Sequence, residues 1–221
     1  MLSYTYDELG NIETISENGV LKCTYHYDEL SRLVREDNRW EEKTICYGYD
    51  NGGNLTKWKE YTYTEGVLTT GTTLLKENSY EYGNTVWKDQ LTAYNGQTIL
   101  HDALGNPTAY RGMEFTWDKG RELKQVAIGG STILYKYDPA GGRISKTVDG
   151  VTTKYYWDGD KIIGLKQGND RMQFVYDEKD NLFSMRLNGE TYYYLFNGQN
   201  DVIGLIDSSG NQVVSYTYNS W

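Results

Sequence analysis

Along the chain, short runs of aromatic and branched residues alternate with clusters of Gly, Asn and Asp. Within a run the period is two: in Tyr135-Lys136-Tyr137, rings flank one polar residue, and Ile133 continues the same parity. Period two is the mark of a strand with one face more buried than the other. The positions between the rings are Thr5, His26, Gly48, Glu81, Thr116, Lys136, Val175 and Thr217, mostly small or polar. One face should therefore carry a ladder of rings and the other should be wetter. No stretch shows helical periodicity with caps for more than a turn or two.

The turns fall into two classes. The first follows an aromatic-Asp pair: Tyr6-Asp7, Tyr27-Asp28, Tyr49-Asp50, Trp117-Asp118, Tyr137-Asp138, Trp157-Asp158 and Tyr176-Asp177. A Gly and a branched residue follow in several copies, as in Tyr4-Thr5-Tyr6-Asp7 leading to Gly10-Asn11-Ile12. The Asp can accept backbone N–H hydrogen bonds and the Gly supplies a left-handed step. The second class lies about halfway between: Asn18-Gly19, Glu65-Gly66, Asn95-Gly96, Gly129-Gly130, Asp149-Gly150, Asn188-Gly189 and Ser209-Gly210. Several of these dipeptides suit type I′ turns.

Marked by the Asp, the unit recurs at 7, 28, 50, 102, 118, 138, 158 and 177, with Gly83, Asn197 and Asn219 as degenerate copies. The usual step is near 20 residues, the length of a two-stranded hairpin with its turns. The expected fold is all-β: repeated antiparallel hairpins of about 20 residues in a curved, spiralling sheet. We expect a single array over residues 1–221, with a longer irregular hairpin at about 51–83. An open sheet leaves an unpaired edge at each end, so self-association through those edges is an expectation.

Composition adjusts this picture. The chain has 221 residues, and hydrophobic residues are 38% of it, but 22 are Tyr and 6 are Trp. These rings bury large areas while keeping a polar handle, so the low mean hydropathy of −0.71 does not mean disorder. The net charge is −9 and no Lys/Arg cluster stands out along the sequence, which argues against a nucleic-acid partner. No apolar run is long enough to span a membrane, and no signal-peptide pattern precedes the first repeat. Cys23 and Cys46 fall on opposite parities, which argues against a disulfide.

Candidate chemistry is thin. One Asp per repeat, always before a turn, is what turn capping demands, so Asp7, Asp28, Asp50, Asp118, Asp138, Asp158 and Asp177 are read as structural. Asp158-Gly159-Asp160 and Asp177-Glu178-Lys179-Asp180-Asn181 are the best calcium-like clusters, and neither completes a binding loop. His26 and His101 have no nucleophile marked beside them. No catalytic residue, metal site or cofactor is expected. Trp40, Trp58 and Trp87 lie outside the strict ladder and are the candidate ligand-facing aromatics, with glycans as the possible partner.

The serial Tyr-Asp units resemble the Rhs/YD-repeat family, and the resemblance covers essentially the whole chain. The second half is similar to the clostridial branch, through Trp87-Lys88-Asp89-Gln90-Leu91, Leu104-Gly105-Asn106-Pro107, Trp117-Asp118-Lys119-Gly120-Arg121-Glu122-Leu123 and Asp201-Val202-Ile203-Gly204-Leu205-Ile206-Asp207. The resemblance implies a hollow β-shell that encloses a toxic C-terminal effector in bacterial members. In teneurins it implies cell-surface adhesion. It implies a structural, non-enzymatic role, partners that are other shell repeats and the enclosed effector, and a secreted or cell-surface location. Residues at about 212–221 look like the lead-in to the family's core segment, whose cleavage aspartates are not in this sequence. Asn219 and Asn200 depart from the usual Asp and Gly.

Overall fold

The computed structural model describes residues 1–218 and is all-β, with no helix among the described residues. The chain divides into two compact units, Met1–Ile99 and the segment from Leu100 onward. The first unit holds β1 (Leu2–Tyr6), β2 (Ile12–Glu17), β3 (Val20–Tyr27), β4 (Leu33–Asn38), β5 (Lys43–Tyr49), β6 (Leu55–Thr62), β7 (Leu74–Glu81), β8 (Ala93–Tyr94) and β9 (Gln97–Thr98). The second holds β10 (Leu100–His101), β11 (Pro107–Tyr110), β12 (Met113–Asp118), β13 (Glu122–Ile128), β14 (Ser131–Tyr137), β15 (Arg143–Val148) and β16 (Val151–Asp158). It continues with β17 (Lys161–Gln167), β18 (Asp170–Tyr176), β19 (Leu182–Leu187), β20 (Glu190–Phe196), β21 (Val202–Ile206) and β22 (Gln212–Ser215).

Each unit is one antiparallel meander in strict chain order, nine strands in the first and 13 in the second. Neither sheet closes on itself, because every strand pairs only with its chain neighbours. The break between the sheets falls between the two-residue strands β9 and β10. Over 51–83 the chain forms β6 and β7, joined by a loop over residues 63–73. Of the residues expected to be the lead-in, 212–221, Gln212–Ser215 form β22; the last of them, with the Asn219 marker, lie outside the described residues.

The Asp turn brings a bulge with it. Tyr6 pairs with Ile12 while Thr5 pairs with Thr14, so Glu13 is the extra residue. The same slip leaves out Val34 opposite Tyr27, Thr56 opposite Tyr49, Ile144 opposite Tyr137 and Phe183 opposite Tyr176. A bulge bends its strand and raises the local twist. Placed at the same turn of successive hairpins, it curves each sheet in a consistent sense.

Little of either sheet is core. In the first unit Ile45, Tyr47 and Leu55 are buried together, packed by Leu33, Tyr49, Trp58 and Tyr80. In the second the buried apolar side chains are Val126, Met185 and Leu205, on separate strands. The accessible surface is 14,442 Å². Two separate compact globules of half the mass would together expose about 12,500 Å². The sheets therefore depend on hydrogen bonds and ring contacts more than on a shared interior.

Candidate functional site

The repeat itself is the recurring device, and it has two parts. In the turn, Asp7 Oδ1 accepts from the backbone N–H of Leu9 (2.9 Å) and Asn11 (2.8 Å). The loop is closed by the Asp7 N–H donating to the Asn11 carbonyl and the Gly10 N–H to the Asp7 carbonyl. The same pattern is built on Asp28, Asp50, Asp102, Asp138, Asp177, Asn197 and Asp207. The capped N–H groups lie two and four residues on. The side-chain amide of Asn11 does most to hold the Asp7 carboxyl below its ordinary range, and Asn54, Asn106 and Asn181 do the same for Asp50, Asp102 and Asp177. At Asp28 and Asp207 the leading cause is the backbone N–H of Arg32 and of Asn211.

Sequence reading missed the role of Asp207. Ser209-Gly210 belongs to an Asp turn, not to the midway class, and the cue was the Asn at position 211, four residues past an Asp. Asn197 shows the pair reversed: its Oδ1 caps Gln199 and Asp201, and its Nδ2 donates to Asp201 Oδ2. Asn200 takes the left-handed position with φ 69°, beside Gly141 at 88° in its copy, so the turn survives the exchange. The two Trp-Asp copies differ. Asp118 caps the adjacent Lys119 N–H, and Asp158 closes a two-residue hairpin against Lys161 through Gly159. The expected capping role therefore fits the Tyr-Asp copies better than Trp117-Asp118 or Trp157-Asp158.

The second part is a latch. Tyr27 Oη donates to the Ile12 carbonyl, Tyr49 to Leu33, Tyr82 to Leu55, Tyr137 to Leu123, Tyr176 to Ile162 and Tyr218 to Val202. The indoles of Trp117 and Trp157 donate to Pro107 and Arg143 in the same way, and all eight contacts span 2.7–3.0 Å. Each acceptor lies just past the end of a ladder. The β13–β14 pairing stops at Gln125↔Leu134, and Tyr137 then bridges to Leu123 where the strands fan apart. A carbonyl that the ladder leaves over is thus satisfied by the next repeat's ring. Phe196 occupies the slot without a donor. The Arg143 guanidinium stacks on Tyr135 (4.4 Å to the centroid).

Two buried polar groups distinguish the first unit. Asp37 accepts from Arg35 Nε (3.0 Å) and Thr44 Oγ1 (2.7 Å), and Arg35 Nη2 and Thr44 both reach the Thr64 carbonyl. This cluster fastens the 63–73 loop over β4 and β5. His26 Nε2 lies 3.6 Å from Asp37 Oδ2. On the opposite face Glu36, 2% exposed, accepts from Asn38 Nδ2 (2.9 Å) and faces Tyr47 Oη. Cys23 is buried nearby, and burial raises its thiol pKa to about 12. Cys23 and Cys46 are free thiols on opposite faces.

The three ligand-facing candidates occupy three different elements. Trp40, in the β4–β5 turn, sends its indole N–H toward Glu17 (3.4 Å). Trp58 lies in β6 against the core with Lys76 over its ring, and Trp87 is half-exposed in the loop before β8. No group of three or more His, Cys, Asp or Glu side chains suited to a metal occurs among the described residues. Asp180, in the calcium-like cluster, instead pairs with Lys161.

Comparison with known proteins places this geometry. The family model for the teneurin YD-shell matches residues 1–221. The tRNA nuclease WapA of Bacillus subtilis (strain 168) is 33% identical over 205 residues, covering 88% of this chain and 8% of that protein. The probable deoxyribonuclease RhsB of Dickeya dadantii is 25% identical over 208 residues, covering 75% of this chain and 14% of that protein. Among solved structures, the Tc holotoxin pore of Photorhabdus luminescens matches with a TM-score of 0.68 at 18% identity, over 99% of this chain and 13% of that one. At that identity the likeness is one of fold. The chain spans only a small part of the length of each protein it matches.

Proposed function

The chain belongs to the teneurin YD-shell family, and from that premise we propose that it is a stretch of shell wall around a C-terminal toxic effector of a longer protein. The observation that carries the proposal is the latch. Each repeat ties its aromatic to the carbonyl that the preceding repeat leaves over, so the wall extends repeat by repeat without needing a thick core. Both sheets belong, in this reading, to one array over residues 1–221. The edges of β1 and β22 are where neighbouring repeats pair.

The role is mechanical. Paired strands keep solvent proteases and partners from an enclosed polypeptide, and the aspartates serve turns rather than chemistry. The WapA and RhsB relatives are named as nucleases, and in this reading such an activity belongs to a part of the protein outside this segment. The protein acts outside the cell or at its surface. Limited proteolysis of the longer protein tests this. The downstream domain should resist protease while the wall is intact, and become cleavable when Tyr49→Phe, Tyr137→Phe and Tyr176→Phe are combined. A downstream domain cut equally fast in both proteins would overturn the shell reading.

A further inference from the structure

The face of the second sheet opposite the ring ladder carries a row of cations. Lys136 pairs across the strands with Ser145, Ser145 with Lys154, Lys154 with Lys166, and Lys166 with Arg171. Directly opposed residues share a face, so these side chains form one line across β14–β18. Arg186 joins it, because it pairs with Gln173, two residues from Arg171. Arg171, Gln173 and Arg186 also line a shallow depression, whose rim residue Asp170 is held by Asn188 Nδ2 (2.8 Å). Carboxylates lie at the margins of the row: Asp158 at the end of β16 opposite Lys161, and Asp170 on the rim beside Arg171.

A solvated face would normally mix signs. Here Lys154, Lys166 and Arg171 stand directly opposite one another on adjacent strands about 4.8 Å apart, an arrangement that destabilises an isolated sheet. It occurs in a chain of net charge −9. The same face exposes large apolar side chains between the cations, including Tyr156 (47%), Val175 (48%) and Phe183 (56%).

We propose that this face of β14–β19 docks an acidic polypeptide whose carboxylates alternate with apolar side chains. The carboxylates would neutralise the row, and the apolar residues would cover Tyr156, Val175 and Phe183. Nucleic acid is the other polyanion. Its phosphodiester backbone would neutralise the cations but leave Val175 uncovered, whereas apolar side chains between carboxylates cover it. The proposal stands apart from the shell reading, since such a partner could dock whether or not the wall encloses an effector.

The test uses the full 221-residue chain and three probes: a glutamate–tyrosine copolymer, polyglutamate of equal length, and oligothymidylate. The copolymer should bind best. Lys166→Glu should weaken it about tenfold or more, the scale of one desolvated charge pair, while Lys88→Glu in the first unit makes the same charge change without effect. Lys166→Glu should also raise the thermal midpoint of the free protein, because it places an anion between two cations. Equal losses from Lys166→Glu and Lys88→Glu would reduce the effect to net charge and overturn the proposal. So would oligothymidylate binding more tightly than the copolymer, or a midpoint that falls.

Discussion

The two sheets are made from one repeat and treat their charges in opposite ways. In the first, Lys43 meets Glu60, Lys59 meets Glu77 and Arg35 meets Asp37, and the 63–73 loop is fastened over one face. In the second, Lys154, Lys166 and Arg171 face each other and the sheet lies open on that side. The first sheet carries 16 acidic and 9 basic residues, and the remainder of the chain 15 and 13. The latch is common to both. What holds the wall together is therefore the repeat, and what separates the two sheets is the chemistry written on the face that the latch leaves free.

The sharpest way to break this contrast is Asp37→Ala. It takes one acceptor from the half-buried Arg35 guanidinium and the buried Thr44 hydroxyl, which keep only the Thr64 carbonyl, and should cost roughly 1–3 kcal/mol, the usual penalty for a lost buried hydrogen-bond partner. The loss should be confined to the first unit. Both cysteines lie there, and burial keeps their thiols protonated and unreactive in the folded state, so faster thiol labelling measures it. Labelling that stays slow while the second sheet unfolds would contradict the separation.

A smaller effect concerns the latch. Tyr137→Phe should destabilise the second sheet by about 1 kcal/mol, the net worth of one hydrogen bond. Phe196→Tyr should stabilise it by a similar amount, since Phe196 is the slot that lacks a donor. Chemical denaturation reads both, and opposite signs are required.

The smallest difference between the sheets is expected in acid. Asp7, Asp28 and Asp50 in the first, and Asp102, Asp177 and Asp207 in the second, have carboxyls held below the ordinary range by hydrogen bonds from their turns. A group whose folded pKa is depressed stabilises the fold above its unfolded pKa, about 3.9, and that stabilisation is lost as pH falls through the folded value. Both sheets should therefore soften together below about pH 4. Hydrogen exchange followed down the pH scale checks it, and a first sheet that opens well before the second would show that the turns are not equivalent.

The fold was legible because its signals are local. Period two, the Asp turns and the midway Gly dipeptides each act within about ten residues, and they are enough to place most hairpins. The latch was half legible: Tyr27, Tyr49 and Tyr137 stand out as rungs, but their carbonyl partners lie 14–16 residues back, and only the bulge brings them into reach. The cation row was not legible at all. Lys136, Lys154, Lys166 and Arg171 are scattered along the sequence, and they align only once five strands are in register. The wetter face expected opposite the rings is, in the second sheet, cationic and partly apolar. Asp158 and Ser209-Gly210 misled for a related reason: turn class is set by loop length, which neighbouring residues only partly determine.

The central claim is that this chain is wall, and single-particle density for the intact longer protein tests it most directly. The account predicts strands from neighbouring repeats paired along the free edges of β1 and β22, with the downstream domain as density inside the wall. Edges of β1 and β22 left bare, with the downstream domain standing free in solvent, would contradict it.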